Sequence, residues 1–262
     1  RGMLSFGEYL SGLSIGEIKA LRRILHAHRG LIREEIKSFA RRKELNRVAL
    51  LEEFEGAIKG YYSVLVIRVD LSYSKDSMSE ITVNDFYQHI GKLRDLITDK
   101  NGYFDALLTY AIALEHGITK GFHVHLALVI NESKYRNDYN IAKWVIEKWQ
   151  EITLGKGYGW NNNTTENKKN YYDQGTLGIG VIRRTEPDQG NNALKTIAYL
   201  SDPEKYRQTL LVKPQGRRTF YKGDYQHHGR PIPDTEENRR IKEWGAQTAL
   251  AKLEEEVWFK KL

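Results

Sequence analysis

Cysteine is absent from the 262 residues. Disulfides, thiolate nucleophiles and cysteine-held zinc are excluded together, so any metal must be held by histidine and carboxylate. Long apolar runs are missing too. Nothing approaches the roughly 18 consecutive apolar residues that span a bilayer, and the first residues carry no charged-then-apolar leader. The expectation is a cytoplasmic chain with no membrane partner. No internal repeat occurs, and no linker separates two full domains. The glycines at 175, 178 and 180 are not closed by Gly-Lys-Ser/Thr, so they do not make a nucleotide phosphate loop.

Apolar residues make up 40% of the chain, enough for an ordinary core. Lysine and arginine number 41 against 34 acids, a net charge of +7 that favours a polyanionic partner.

The stretch GFHVHLALVI, from Gly121 to Ile130, organises the rest. Its aliphatic run reads as a buried strand, with His123 and His125 two apart at its start. Strand side chains repeat every second residue, so both imidazoles project from one face, roughly 7 Å apart. Tyr110 to Glu115, YAIALE, reads as a second strand, folded back by the polar connection from His116 to Gly121 into an antiparallel hairpin. Glu115 then lies nearly opposite His123. Two imidazoles and a carboxylate at one end of a hairpin make a three-ligand site for a divalent ion, with coordination positions left for water or substrate. His116 competes as third ligand. The alternative is a pair of hydrogen-bonded strand histidines beside an exposed glutamate.

N-terminal to this hairpin, residues 1–58 form a basic helical segment. Ser14 to Glu17 has capping-box spacing, and Ile18, Leu21, Leu25, Ile32, Ile36 and Phe39 define one face of a long amphipathic helix. Arg22, Arg23 and further arginines line its other face, as a nucleic-acid contact or as a solvated surface. A second helix is expected from Leu45 to Ile58. Tyr61 to Leu71 reads as a central strand on which Arg68 and Asp70 share a face, placed to position a phosphate and orient a ligand histidine, or to form a plain ion pair. A packing helix runs from Val83 to Thr98, and Ile141, Val145, Trp149 and Ile152 mark another.

Residues 155–175 are polar and turn-rich, and read as a mobile loop or an excursion from the sheet. Trp160, Tyr171 and Tyr172 interleaved with Lys168 and Lys169 suit a surface that stacks bases and neutralises phosphate, or a solvated loop. A strand follows over 177–183 and a helix over 191–199. Lys213 to Lys222, with Arg217 and Arg218, is a second candidate nucleic-acid surface around a turn. His227 and His228, being adjacent, would face opposite ways on a strand. Residues 231–262 form a charged C-terminal helix from Thr235 to about Phe259.

The pattern Glu115, Gly117, Gly121, His123, His125 resembles the HUH (histidine, hydrophobic, histidine) endonucleases that start rolling-circle replication, and within them the replication-initiator-like family of filamentous phages and prophages. Arg68-Val-Asp70-Leu71 looks like that family's first motif. Tyr199-Leu200 with Arg217-Arg218-Thr219-Phe220 looks like its tyrosine motif and the basic segment that follows. The resemblance covers roughly residues 60 to 225. In such proteins a lysine usually stands three residues after the nucleophilic tyrosine, and Asp202 occupies that place here.

The resemblance implies an α+β nuclease domain over 59–230, with a central antiparallel sheet of about five strands, helices on one side and the helical segment in front. It implies that His123, His125 and Glu115 bind Mn2+ or Mg2+. Tyr199 would attack the phosphate of single-stranded or hairpin DNA. A phenol needs positive charge beside its developing oxyanion, which Lys195, one turn earlier, and Lys205 could supply. Tyr206 would share that face if the helix continued, but Pro203 argues for a break. Host replication proteins are candidate partners, and the oligomeric state is not specified. Two other classes stay open: a DNA-binding protein on the same fold without nicking activity, and a two-histidine, one-carboxylate iron or zinc enzyme of other chemistry.

Overall fold

In the computed structural model the described residues are 11–117, 120–201, 210, 213–226 and 231–251. The chain divides into two compact units, residues 1–46 and 47–262.

In the first unit the Ser14 capping box forms as the spacing requires. Its hydroxyl accepts from the Glu17 N–H, and the Glu17 carboxylate accepts from the Ser14 N–H at 2.8 Å. It starts helix α1 (Ile15–Ala27). The expected break between residues 39 and 45 is absent. It falls instead at His28, whose ring Nδ1 donates to the Ile24 carbonyl at 2.9 Å, and helix α2 then runs unbroken over Arg29–Gly60. Ile15, Ile24, Leu31 and Ile36 are exposed.

The second unit is an antiparallel sheet of six strands: β1 (Ser63–Tyr73), β2 (Leu107–Gly117), β3 (Gly121–Asn131), β4 (Gly157–Asn161), β5 (Gly180–Arg183) and β6 (Phe220–Lys222). The spatial order is β4-β1-β3-β2-β6, and β5 pairs with β1 beyond β4 on the same edge. The helices are α3 (Val83–Thr98), α4 (Asp138–Ile152), α5 (Thr165–Asp173), α6 (Pro187–Ala198) and the single turn α7 (Glu236–Arg239).

Helices cover both faces of the sheet, where sequence reading expects one. β1 and β3 are apolar on both sides, as buried strands must be, and each set of alternate residues has its own core. Leu65, Ile67, Val69, Leu71, Leu126, Leu128 and Ile130 pack with Phe86 and Leu93 of α3 and Val145 and Trp149 of α4. Val64, Val66, Ala127 and Val129 pack with Leu51 and Phe54 of α2 and Leu194 and Ile197 of α6.

The polar stretch 155–175 is not a loop but holds β4 and α5. The alternation Gly157-Tyr158-Gly159-Trp160 sets two glycines against α4, where a Cβ at Gly157 would lie 2.7 Å from Trp149 and one at Gly159 2.6 Å from Ile146. Thr164 caps α5 by accepting the Asn167 N–H. Between β4 and β5 the pairing of β1 is interrupted, and the buried Asn163 side chain fills the gap. Its Oδ1 accepts the Arg68 N–H at 2.9 Å, and its Nδ2 donates to the Val66 carbonyl at 3.0 Å and to Asp138 at 2.9 Å. One amide thus replaces a missing strand residue, since buried backbone groups need partners.

The C-terminal helix expected over 235–259 is broken at residues 244–245, and residues 246–251 are helical again. Trp244 turns inward, its Nε1 donating to the Arg184 carbonyl at 2.9 Å and its ring lying over Gly190 of α6.

Candidate metal centre

Directly paired residues of a sheet point the same way, so the registers define what stands beside the histidines. Glu115 pairs with His123. One level along, Phe220, Ala113, His125, Asp70 and Trp160 form a row across β6, β2, β3, β1 and β4. Arg68 follows on the same face of β1. This is the face that Val64, Val66, Ala127 and Val129 make apolar further along, so the α6 core grades into a polar centre at one end of the sheet.

Glu115, His123 and His125 are buried, at 6%, 4% and 7% exposure. Glu115 Oε2 lies 3.1 Å from His123 Nε2 and 3.3 Å from His125 Nε2, and the three potential ligand atoms fall within 4.8 Å of one another. The opposite ring nitrogens fix the tautomers. His123 Nδ1 faces the Gly121 carbonyl at 3.0 Å, which can only accept, so that nitrogen carries the proton. Gly121 holds φ +60°, a left-handed conformation that favours glycine and sets this carbonyl. His125 Nδ1 faces Asp70 Oδ1 at 2.5 Å. Burial pushes the Asp70 carboxyl up, yet the hydrogen bond and charge of His125, with Arg68 and Asn162 beside it, outweigh burial and hold it below the usual carboxylate range. Ionised Asp70 is acceptor-only, so His125 Nδ1 also carries its proton.

With the rings neutral, both Nε2 lone pairs turn toward the Glu115 carboxylate; with a ring protonated, its Nε2–H donates to that carboxylate instead. Three electron-pair donors converging in a buried place repel one another unless a proton or a metal cation lies among them, and this cluster has the donors and spacing for either. The group fits a metal ion in donor type and spacing, and the two Nδ1–H acceptors orient the rings as outer hydrogen bonds do in metal sites. His116 pairs with Phe122, so it projects from the opposite face, meets that ring edge-on and drops out as third ligand.

Tyr199 caps α6, its N–H donating to the Ile197 and Lys195 carbonyls, and opens a short 3-10 turn through Ser201. Its ring stands edge-on to His125 with centroids 6.4 Å apart. The Arg68 guanidinium carbon is 4.8 Å from the tyrosine ring centre, and Arg68 Nε is 3.7 Å from Asp70 Oδ1. Small residues, Ala111, Ala113 and Ala127 on the sheet and Ala193 and Ala198 on α6, let the helix approach closely enough to bring Tyr199 here. Tyr199 remains 46% exposed.

The matched region decides the kinship. Residues 34–218 match the sequence profile of the YagK/YfjJ C-terminal domain, a prophage-associated family. The chain belongs to this family. Comparison with curated proteins and with solved structures gives no match. In this YagK/YfjJ domain the matched span contains the whole triad together with Arg68, Asp70, Trp160 and Tyr199. Arg22 and Arg23 precede it, exposed on α1 in the first unit.

The remaining sequence candidates divide. Lys195 sits half-buried one turn before Tyr199. Lys168 is held by the buried Asp138 carboxylate at 2.9 and 3.0 Å, which neutralises its charge inside the fold. Lys169 is exposed and pairs with Asp173 at 2.6 Å. Arg217 and Arg218 are exposed beside the start of β6, where Leu114 N–H donates to the Thr219 carbonyl at 2.9 Å and extends the pairing toward Glu115. Lys205, Asp202, Tyr206, His227 and His228 lie outside the described residues. Sequence reading missed the Gly121 carbonyl as the acceptor that orients His123.

Proposed function

We propose that the protein is a metal-dependent endonuclease of the HUH type, which nicks and joins single-stranded DNA through Tyr199 and initiates rolling-circle replication of a prophage or mobile element. The observation that carries this reading is Tyr199 beside His125, with Arg68 against its ring, at the edge of a buried cluster of three convergent ligand atoms. His123, His125 and Glu115 would hold the ion, with Mn2+ suiting two nitrogens and one oxygen better than Mg2+. Once bound, it supplies a Lewis acid for a phosphate oxygen.

The chain's own residues supply the rest. Tyr199 attacks phosphorus, forming a phenolic O–P bond as the P–O3′ bond breaks. The phenol proton passes to the leaving oxygen, and a 5′-phosphotyrosine and a free 3′-hydroxyl result. Arg68 holds the phenol ring and adds positive charge beside the phosphate, while Asp70 keeps His125 in the ligating tautomer. Joining is the same step reversed by a 3′-hydroxyl.

The test is a labelled single strand of candidate origin sequence incubated with Mn2+ and run on a denaturing gel. A protein-linked DNA band is expected from the wild type and from neither Tyr199→Phe nor His123→Ala. A band that survives Tyr199→Phe moves the nucleophile elsewhere. Asp202, where related tyrosine motifs carry lysine, favours a second reading in which the fold binds DNA without nicking. Tight binding with no covalent band on any origin strand would select it.

A further inference from the structure

We infer that Tyr158 and Trp160 form a stacking subsite for two successive unpaired bases of single-stranded DNA, on the β1 side of the metal centre. This rests on the nuclease reading for the identity of the strand. The geometry comes from β4 itself. Trp160 pairs with Asp70 and Tyr158 with Ser72, so both rings project from the face that carries Glu115, His123 and His125. Asp70 is hydrogen-bonded to His125, which puts Trp160 two strands, roughly 10 Å, from that ligand.

Packing does not account for these two aromatics. The core side of β4 is satisfied by Gly157 and Gly159, where α4 leaves no room for a Cβ. Positions 158 and 160 face away from that core, and Tyr158 and Trp160 are 51% and 53% exposed. Among the described residues neither ring stacks on another ring. Two large rings left half in water on a sheet face cost hydrophobic free energy that a ligand with flat apolar surfaces would recover. Their spacing of two strand residues, about 6.8 Å, is twice the 3.4 Å rise of stacked bases, so each ring can carry its own base. Every base has a π-face, and stacking of this kind tolerates sequence, as a platform beside a cleavage centre requires.

Binding of fluorescein-labelled dT12 in EDTA, read by anisotropy, separates this inference from catalysis. Trp160→Ala and Tyr158→Ala are each expected to weaken binding roughly 5- to 100-fold, with the salt dependence unchanged because no phosphate contact is lost. In the wild type, dT12 should quench tryptophan emission. Trp160→Phe should bind nearly as well as wild type without that quench, which shows that the ring stacks. Unchanged melting temperatures confirm that the variants fold. Wild-type affinity in both alanine variants, or no quench in the wild type, overturns the subsite. If the Tyr199-dependent covalent band forms nonetheless, the nuclease reading stands alone. Absence of any dT12 binding overturns the subsite, while the covalent band on an origin strand decides the nuclease reading separately, and tighter binding of rU12 than of dT12 overturns DNA as the occupant.

Discussion

Replacing Asp70 with alanine tests the argument that outer hydrogen bonds set the metal site. The carboxylate receives His125 Nδ1–H at 2.5 Å and lies 3.7 Å from Arg68 Nε. Without it, His125 loses the acceptor that fixes its tautomer and ring orientation, and its Nε2 can take the proton. Loss of such a partner costs about 10- to 100-fold in metal affinity, or about 1.4–2.7 kcal/mol. Thermal unfolding amplifies the difference. At a Mn2+ concentration 100 times the wild-type Kd the ion stabilises the fold by about 2.7 kcal/mol, and a 100-fold weaker site leaves about 0.4 kcal/mol. In a domain of this size that is a Mn2+-induced rise in Tm of roughly 5–10 °C reduced to about 1 °C. Titration calorimetry measures the affinities directly. Asp70→Asn, which keeps an acceptor oxygen, should fall between. Asp105→Ala, which removes an exposed carboxylate paired with Lys134, should leave Mn2+ binding unchanged. A Kd for Asp70→Ala within twofold of wild type would refute the reasoning.

Four further outcomes follow from the fold. Asn163→Leu should destabilise the protein to urea by about 3 kcal/mol, because the Arg68 N–H and Val66 carbonyl lose their buried partner. Gly178→Ala places a Cβ 2.2 Å from the Asn192 carbonyl oxygen, backbone that cannot swing aside, and should cost about 1–3 kcal/mol in the same assay. Trp149→Ala, removing the largest fully buried side chain among the described residues, should cost about 3–5 kcal/mol. Burial holds the His89 imidazole below its ordinary value of 6.5, so the unfolded chain binds its proton first as pH falls. The contribution of His89 is intact above that value and is lost as pH drops from it toward the lower folded value. The wild type should therefore lose more Tm than His89→Gln between pH 7.5 and 5, and equal losses would exclude the effect.

Much of the centre was legible in the residues because strand periodicity is local. His123 and His125 had to share a face once Gly121 to Ile130 formed a strand, and the short connection from His116 set Glu115 opposite His123. The Ser14 capping box and the helix over Val83–Thr98 were likewise fixed by contacts within a turn or two of chain. The misreadings arose where polar residues make long-range contacts. Residues 155–175 lack apolar alternation because the inward positions of β4 are glycines under Trp149 and Ile146, and because Asn163 and Lys168 are satisfied by β1 and Asp138. Neither partner is close in sequence, so composition alone reads as a loop.

What the sequence determined by itself is therefore the chemical inventory and its local spacing: no thiol, a surplus of basic charge, and two imidazoles and a carboxylate on one hairpin. Tertiary structure decided which groups surround them. Asp70 reaches His125 only through the pairing of β1 with β3, and Tyr199 reaches it only because alanines on both surfaces let α6 close onto the sheet. Trp160 joins the same row through β4. The helices on the second face follow from the same cause. An apolar strand shows that both its sides are buried, but which helix covers each side is set by the topology that brings distant segments together.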